Sequence, residues 1–539
     1  MWLINTTTLD LKLCSNSEPT PPYGILSHRW NSENENEVSF QDMVPNIYST
    51  ETAKKPGFAK IDKVCELARN AEPKLDYVWV DTCCINKTSS AELSEAINSM
   101  FKWYQKAVVC YVFLADLAPE SVSLKDCEWF RRGWTLQELI APREVHFYDK
   151  YWSVYGTKSS LQWQVAQITG IDQKILTGVT DLAEIPVAVR MSWAANRITS
   201  REEDMAYCLL GIFNVNMPMI YGEGSKAFTR LQEEIIKDNP DMSIFAWTAS
   251  DNDEAEYVGL LAQSTKQFYS KDSLRLEHTS VFDTYEFSIT NKGIRFNIAL
   301  HLDEKSGYHI LPLNHTHGKD RSALGPLGIY LRQVGPNYFV HALPRKLAIT
   351  KEGETLRNVW VAKTLLSVQS ESINRQVLHI HAPLDLTSGI LTEVEPVGSW
   401  DPSKNVLYAG HTGSFIGFMH ITPNWADEFD SFVLLCRFNS KSENGYPWQC
   451  NLVDGDRWRG IRSQYLKLYH LKSDSYRGSA SQLKLELPHL YDENRARHVS
   501  ITLCHKDTSG GMEYHLFLEI GKGGSNQISN AYEVKHILS

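Results

Sequence analysis

The chain lacks several patterns that mark well-defined classes of protein. None of its ten cysteines forms a CxxC pair, which argues against a zinc ribbon and against the disulfide framework of a small secreted protein. No stretch approaches about 18 uninterrupted apolar residues, and the opening MWLINTTTLDLKLC has no basic segment before a long apolar one. We therefore expect no membrane span, no signal peptide, and reduced, mostly buried thiols in a cytoplasmic protein.

The chain also lacks an excess of basic residues. Its 54 Lys and Arg against 64 Asp and Glu give a formal net charge of −10, whereas nucleic-acid binding normally requires a basic surface. We therefore expect no nucleic-acid partner. There is no internal repeat and no low-complexity tract. The 539 residues, of which 42% are hydrophobic, exceed what one core usually organises, so we expect two or more domains.

Strand-like and helix-like segments alternate in the first part of the chain. Four apolar, β-rich runs, at residues 23–27, 77–81, 107–114 and 145–148, are separated by segments with helical periodicity. This alternation predicts βαβ units and a parallel, doubly wound sheet. We expect the following residues, 151–240, to be mostly helical.

The composition and the pattern of the sequence change after about residue 245. Residues 250–256 are polar, and beyond them short β-rich runs alternate with Gly, Pro, Asn and Asp. Regular short strands with turn residues between them are typical of sandwich-like units. The predicted fold class is α/β followed by β: a domain at residues 1–240, a linker at 241–257, and one or more β-rich accessory domains at 258–539.

Polar side chains follow the strands of the predicted sheet. His28 and Arg29 come after the first strand, Asp81 and Cys83 after the second, and Asp116 after the third. Parallel strands end at one edge of the sheet, and ligands bind in the crevice beyond those ends. The sequence therefore predicts a site at this edge.

Four ordered stretches in the first 240 residues resemble the HET (heterokaryon incompatibility) family of filamentous fungi. They are YGILSHRW at 23–30, YVWVDTCCINK at 77–87, FRRGWTLQEL at 130–139 and MSWAANRITSREEDMAYCLLGIFNVNMPMIYGEG at 191–224. This resemblance implies a role in fungal self/non-self recognition and regulated cell death. Tyr221 and Glu223, in a turn of the fourth stretch, are interpreted as fixing that turn.

The α/β core at about residues 20–150 is also similar to TIR domains, which implies a TIR/flavodoxin-like sheet. In those domains a Ser and a basic residue end the first strand, and a later W-C-x-x-E-L pattern carries the catalytic Glu of NAD-cleaving members. Here Ser27 and Arg29 stand at the positions of that Ser and basic residue. Trp134 and Glu138 stand at the Trp and Glu positions of the W-C-x-x-E-L pattern. Thr135 stands where the pattern has Cys.

The TIR-like resemblance implies cleavage of NAD at the nicotinamide–ribose bond by Glu138. Nicotinamide leaves NAD as a neutral molecule, so one carboxylate can suffice by stabilising the oxocarbenium-like transition state. NAD is then the substrate, and we expect no cofactor and no metal. The predicted substrate-binding residues, with the arginines meeting the pyrophosphate, are Ser27, His28, Arg29, Trp30, Asp81, Cys83, Arg131, Arg132 and Trp134.

The same residues have ordinary structural interpretations. A glutamate on a short helix commonly faces solvent or forms an ion pair, and adjacent arginines such as Arg131 and Arg132 are commonly a solvated surface pair. His28 is then a hydrogen-bonded residue at a strand end. The alternative function is a non-enzymatic, TIR-like signalling or assembly module with a β-rich recognition domain. In both cases we expect self-association or a partner protein to activate the chain.

Overall fold

The computed structural model of the chain contains two compact units. The first comprises residues 1–250, 261–284 and 313–327, and the second comprises 251–260, 285–312 and 328–539. The domain boundaries predicted from the sequence stay predictions. The structure describes residues 1–14, 19–30, 36–44, 50–118, 122–253, 255–269, 276–278, 285–303, 306, 308–317, 326–335, 337–351, 356–366, 373, 377–381, 390–395, 399–401, 405–409, 414–422, 431–439, 448–454, 481–487, 497–508 and 511–522.

A seven-stranded mixed sheet organises the amino-terminal unit. Its strand order is β2-β1-β4-β3-β5-β6-β7. The central β4, β3, β5 and β6 are parallel, as the sequence predicts. The outer β1, β2 and β7 are antiparallel and were not predicted, and β7 lies in a stretch expected to be helical. The strands are β1 Trp2–Asn5, β2 Leu11–Leu13, β3 Tyr23–His28, β4 Tyr77–Trp79, β5 Val109–Phe113, β6 Val145–Tyr148 and β7 Val154–Thr157.

One helix or more connects each pair of successive parallel strands. The 17-residue α4 buries Ala96, Ile97, Met100 and Tyr104, the face that its periodicity predicts. Its amino terminus is capped by Ser89, whose side chain accepts a hydrogen bond from the backbone N–H of Glu92. The helices are α1 Phe40–Met43, α2 Thr50–Lys54, α3 Phe58–Arg69, α4 Ser90–Lys106 and α5 Thr135–Ile140.

The remainder of this unit is mostly helical, apart from β7. Its helices are short, and two of them end at residues in the left-handed conformation, Gly170 after α6 and Asn214 after α10. They are α6 Gln162–Thr169, α7 Gln173–Leu176, α8 Val187–Ser192, α9 Asp204–Tyr207, α10 Leu210–Phe213 and α11 Lys226–Asp238. Five 3-10 helices accompany them in the described residues, at Leu124–Asp126, Glu128–Arg131, Leu182–Glu184, Met242–Phe245 and Thr265–Phe268.

The second part of the chain is rich in β-strands, as predicted. A nine-stranded sheet has the order β10-β11-β18-β16-β15-β13-β12, with β17 on β15 and β8 on β16, and β9 pairs with β14. These strands are β8 Tyr257–Val258, β9 Leu276–His278, β10 Phe287–Thr290, β11 Gly293–Ala299, β12 His301–Asp303, β13 Tyr308–Pro312, β14 His315–His317, β15 Leu327–Gly335, β16 Tyr338–Ala342, β17 Ala348–Ile349 and β18 Leu356–Val361.

Two further sheets share one hydrophobic core and so form a β-sandwich. The core joins residues of β19, β22, β27 and β28 from a six-stranded sheet to residues of β23, β24 and β25 from a four-stranded sheet. The strands are β19 Val377–His381, β20 Ile390–Glu395, β21 Trp400–Asp401, β22 Val406–Tyr408, β23 Ser414–Thr422, β24 Phe432–Asn439, β25 Trp448–Asp454, β26 Ser481–Leu487, β27 Arg497–Thr508 and β28 Gly511–Lys522.

Two expectations drawn from composition concern the whole chain. Within the described ranges, no helix has both the length and the apolar character needed to cross a membrane. Among the described residues, nine cysteines are buried: Cys14, Cys65, Cys83, Cys84, Cys110, Cys127, Cys208, Cys436 and Cys450.

Candidate active site

A cavity of about 460 Å³ lies beyond the carboxyl ends of β3 and β4, between α4 and α5. Here β4 and β5 flank β3 on opposite sides, so the strand order reverses at this point, where doubly wound sheets bind their ligands. We call it the strand-end cavity. Six of the residues predicted from the sequence line it: His28, Trp30, Asp81, Arg132, Trp134 and Glu138.

Glu138 is held at the wall of the strand-end cavity by a chain of hydrogen bonds. The hydroxyl of Ser27 donates to Oε2 of Glu138 at 2.5 Å, and Nε1 of Trp129 donates to the Ser27 hydroxyl at 2.8 Å. Burial, reinforced by the charge of Asp81, raises the pKa of Glu138 to about 7, although Ser27, Arg132 and Tyr104 favour the ionised form. The carboxyl group is therefore poised to change charge near neutral pH.

Asp81 follows β4, the strand next to β3, and its side chain is held by Trp30. Nε1 of Trp30 donates to Oδ2 of Asp81 at 2.8 Å. The ammonium group of Lys87 lies 3.8 Å from the centre of the Trp30 ring, in a cation–π contact. Trp30 and Lys87 both line the cavity, so this wall combines a carboxylate, an aromatic ring and a cation.

His28 is buried between two carboxylates. Its Nδ1 lies 3.9 Å from Oδ1 of Asp81, and its Nε2 lies 3.8 Å from Oε2 of Glu37. Burial raises the pKa of Glu37, but its contacts with His28 and Lys60 outweigh burial and lower that pKa to about 2. Glu37 therefore stays ionised, and it holds the histidine from the side away from Asp81.

A later segment of the chain completes the cavity. The backbone N–H of Gly133 donates to the carbonyl of Ile198 at 2.9 Å, and the N–H of Ile198 donates to the carbonyl of Arg131 at 2.6 Å. A Cβ atom on Gly133 would lie 2.5 Å from Cγ2 of Thr199, so the close approach of these two segments requires glycine. The contact brings residues 198–201 to the strand-end cavity.

Three charged or aromatic residues of this later segment, Arg201, Asp204 and Tyr221, line the cavity and were not predicted as site residues. The hydroxyl of Tyr221 donates to Oδ1 of Asp204 at 3.0 Å, Trp134 also hydrogen-bonds Asp204, and burial raises the pKa of that carboxyl. The guanidinium of Arg201 lies 4.5 Å from the centre of the Tyr221 ring. All three belong to the fourth HET-like stretch, which was the available signal, but Tyr221 was interpreted only as fixing a turn.

Four predicted residues do not line the strand-end cavity. Ser27 contacts Glu138 from behind. Arg29 is exposed, and Arg131 is exposed and pairs with Glu128 at 3.2 Å. Cys83 is buried, and its hydrogen bond with Cys84 together with burial raises the pKa of its thiol well above the usual value. The geometry thus does not place Arg29, Arg131 or Cys83 in the lining of the cavity, because each side chain lies on the surface or in the core.

The arrangement offers acidic, aromatic and cationic groups, but no metal centre. In the part of the chain that the structure describes, no group of three or more His, Cys, Asp or Glu side chains is placed to hold a metal ion. The cavity therefore offers carboxylates for stabilising positive charge, aromatic rings for stacking and two arginines for an anionic group.

Comparisons with known proteins find two family models that match parts of the chain. Residues 23–126 match the model of the heterokaryon incompatibility protein (HET) family, and residues 226–295 match a domain of unknown function (DUF8212). The HET match lies within the amino-terminal unit. The chain is 42% identical over 259 residues to the vegetative incompatibility protein HET-E-1 of Podospora anserina. That match covers 45% of this chain and 18% of the relative, so the chain spans less than a fifth of the relative's length. No solved structure matches the chain.

The family match and the sequence prediction agree on the HET domain. The matched residues 23–126 contain the strand ends that carry His28 and Asp81. Glu138 lies beyond the matched range. The TIR-like resemblance and the roles of the individual site residues stay predictions.

Proposed function

We propose that this protein hydrolyses NAD at the nicotinamide–ribose bond, and that the activity serves vegetative incompatibility and regulated cell death. Glu138 supports this proposal most directly. It is a buried carboxyl group at the topological switch point of the sheet, and it faces a cavity lined by aromatic rings and arginines. The relative's description as a vegetative incompatibility protein supports the biological role.

The reaction needs one well-placed carboxylate and one water molecule. The C–N bond between ribose and nicotinamide breaks with both electrons going to nicotinamide, which leaves uncharged. Positive charge develops on the ribose, and the ionised Glu138 stabilises it electrostatically in a buried site. Water then adds to the ribose carbon and releases a proton, giving ADP-ribose. Catalysis by this route requires the ionised form of Glu138.

The remaining walls of the strand-end cavity suit the rest of the substrate. Trp134 offers a ring surface for the nicotinamide, next to Glu138. Arg132 and Arg201 supply guanidinium groups for the pyrophosphate, since planar guanidinium groups match pairs of phosphate oxygens. Arg201 thus takes the role that the sequence assigned to Arg29 and Arg131. The volume of about 460 Å³ falls within the usual range for ligand sites.

The test is nicotinamide release from NAD by the full chain and by Glu138→Gln, over a wide range of protein concentration. We expect the variant to lose activity by roughly 100- to 1,000-fold, the effect of removing one electrostatic contact to the transition state. Glu128→Gln is the matched control, because Glu128 is only partly buried and pairs with Arg131 outside the cavity. Undiminished activity in Glu138→Gln would overturn the assignment.

The concentration series distinguishes the enzyme from the non-enzymatic assembly module. Specific activity that rises with protein concentration indicates activation by self-association. Absence of nicotinamide release at every concentration, from protein whose fold is verified by circular dichroism, would favour the assembly module.

A further inference from the structure

A second cavity, of about 920 Å³, lies at the other end of α4 and α5. It is lined by the carboxyl-terminal part of α4, by residues 140–144 at the end of α5, and by helices α7, α8 and α10. Glu144 immediately precedes β6, so this cavity lies towards the amino ends of the parallel strands. We call it the strand-start cavity. It shares no lining residue with the strand-end cavity.

Two buried cations line the strand-start cavity. Lys158 and Arg190 are each only 4% exposed. The ammonium group of Lys158 donates to the carbonyl oxygens of Leu139, at 3.2 Å, and Pro142. Nη1 of Arg190 donates to the carbonyl of Ile212 at 3.0 Å. Within the described residues, neither cation belongs to an ion pair with a carboxylate.

Burying a cation without a counterion is unfavourable. Lys and Arg are almost never fully buried unless they are paired, because each loses its hydration on burial. That cost lowers the pKa of Lys158 to about 8 and the pKa of Arg190 to about 10. Carbonyl dipoles and the nearby charges of Asp241 and Asp181 on Arg190, and of Glu144 on Lys158, offset only part of the cost, since both pKa values stay lowered. Two such groups beside one cavity therefore create a local preference for an anion.

The rim of the strand-start cavity extends the positive charge. Lys102 and Arg143 line it and are exposed. Three carboxylates also line it, and all are exposed: Glu144, Asp181 and Asp238. One of them, Glu144, already pairs with His146 at 3.0 Å. The buried charges that line the cavity are therefore both positive, while the carboxylates at its rim remain in water, where their charge is screened. The buried carboxylate of Asp241 interacts with Arg190 but does not line the cavity.

We propose that the strand-start cavity binds a small phosphate-bearing molecule. A phosphate group carries about two negative charges and several acceptor oxygens, which match a site with two buried and two rim cations. The cavity is much larger than one phosphate group, and Ile140, Leu176 and Phe213 add apolar surface for an organic part of the ligand. This site is independent of NAD cleavage, and it holds whether or not Glu138 is catalytic.

The test measures binding of phosphate compounds to the full chain by isothermal titration calorimetry at constant ionic strength. The probes are inorganic phosphate, ribose 5-phosphate and AMP, with ribose and adenosine as phosphate-free counterparts. We expect the phosphate compounds to bind and their counterparts not to bind. Ribose 5-phosphate or AMP binding more tightly than inorganic phosphate indicates an organic phosphate, whereas equal affinity indicates a site for the free ion. Absence of binding by all three phosphates at millimolar concentration would overturn the proposal.

Variants assign the binding to this cavity. The double variant Lys102→Gln and Arg143→Gln changes only exposed side chains, and we expect it to weaken binding by roughly tenfold or more. Lys158→Met, used once circular dichroism shows that it folds, should weaken binding at least as much. Arg131→Gln is the control, since Arg131 is exposed and lines neither cavity. Binding that is lost in Arg131→Gln, or unchanged in the rim variant, would assign the phosphate to another site.

Discussion

The strand-end and strand-start cavities lie at opposite ends of the same two helices, yet they contain buried charge of opposite sign. In the strand-end cavity the carboxyl groups of Asp81, Glu138 and Asp204 are buried or partly buried, and they outnumber the partly buried cation Arg132. In the strand-start cavity the buried charges are the cations Lys158 and Arg190. One fold therefore keeps two electrostatically different sites apart by placing them at the two edges of one sheet.

The two cavities differ in what compensates for the unfavourable burial of a charged group. A carboxyl group can take up a proton near neutral pH, and the raised pKa of Glu138, about 7, shows this response to burial. An arginine side chain stays protonated under ordinary conditions, so Arg190 requires carbonyl groups or a bound anion. The strand-end cavity is thus sensitive to pH, whereas the strand-start cavity depends on a counterion.

The largest predicted effect tests the pH sensitivity of Glu138 through stability. Its pKa rises from 4.5 to about 7 on folding, so the folded state binds the proton more tightly and stability is lost as pH rises through this range. At about 1.4 kcal/mol per pKa unit, the loss is on the order of 3 kcal/mol. Glu138→Gln, which does not titrate, should therefore gain stability relative to wild type between about pH 5 and pH 7.5, as measured by chemical denaturation.

A variant of the other cavity provides the control for this comparison. Lys158 has a lowered pKa of about 8, so it is mainly protonated in both states below that pH. Lys158→Met should differ from wild type by the same amount at about pH 5 and about pH 7. A pH-dependent difference in Lys158→Met, or none in Glu138→Gln, would contradict the contrast between the cavities.

The next prediction concerns the backbone contact that joins the two segments of the strand-end cavity. In Gly133→Ala the new methyl group would meet Thr199 and Cys208 at 2.5 and 3.0 Å. Overpacking of this kind costs about 1–3 kcal/mol, and it should also separate Arg201 from Arg132. We expect a lower unfolding midpoint and weaker NAD binding. Gly178→Ala is a useful reference, because no atom lies within 4 Å of a Cβ there, so only the strain of its positive φ applies. Equal loss of NAD binding in both would show that the close contact is unimportant.

A smaller effect should distinguish two adjacent arginines. Arg132 lines the strand-end cavity, whereas Arg131 is exposed and pairs with Glu128. Arg132→Gln should raise KM for NAD by roughly tenfold, the loss of one charge-assisted contact. Arg131→Gln should leave KM within about twofold of wild type, since an exposed ion pair contributes little. Steady-state kinetics of the two variants decide the point, and equal effects would mean that the cavity does not hold the pyrophosphate.

The smallest predicted effect is on the pH profile of NAD cleavage. The charge of Asp81 raises the pKa of Glu138, so Asp81→Asn should lower the pH at which activity is half-maximal. We expect a shift of about one pH unit or less, because burial and not the charge of Asp81 is the main cause of the raised pKa. Asp116→Asn serves as the comparison, because Asp116 accepts a hydrogen bond from the backbone of Glu128 and does not line the cavity. A profile that moves upward in Asp81→Asn would contradict the assignment.

Much of this architecture is predictable from the sequence because parallel strands leave a strong pattern. The strands β3, β5 and β6 are continuous apolar runs, and polar residues follow β3 and β4 at the edge of the sheet where parallel strands end. The short strands β1 and β2 are harder to recognise, because each has only three or four residues. Strand β7 has mostly intermediate and exposed residues, so it gives no buried-strand signal.

The part of the site that the sequence analysis missed depends on contacts between distant segments. Arg201, Asp204 and Tyr221 lie more than 60 residues beyond Glu138, and they reach the cavity through the backbone contact between Gly133 and Ile198. No local periodicity reports such a contact. Similarly, the sequence does not distinguish Arg131 from Arg132, because a 3-10 helix ending at Arg131 determines which of the two side chains faces solvent.

The short helix α5 has a mechanical consequence. It contains six residues, fewer than two turns, and all six are buried. Such a helix is too short to bend, so it moves as one rigid piece. Glu138 faces the strand-end cavity, while the carbonyl of Leu139 accepts a hydrogen bond from Lys158 beside the strand-start cavity. Lys158 and the carboxyl group of Glu138 are therefore joined through one short helix, and we expect a displacement of Lys158 to shift that carboxyl group.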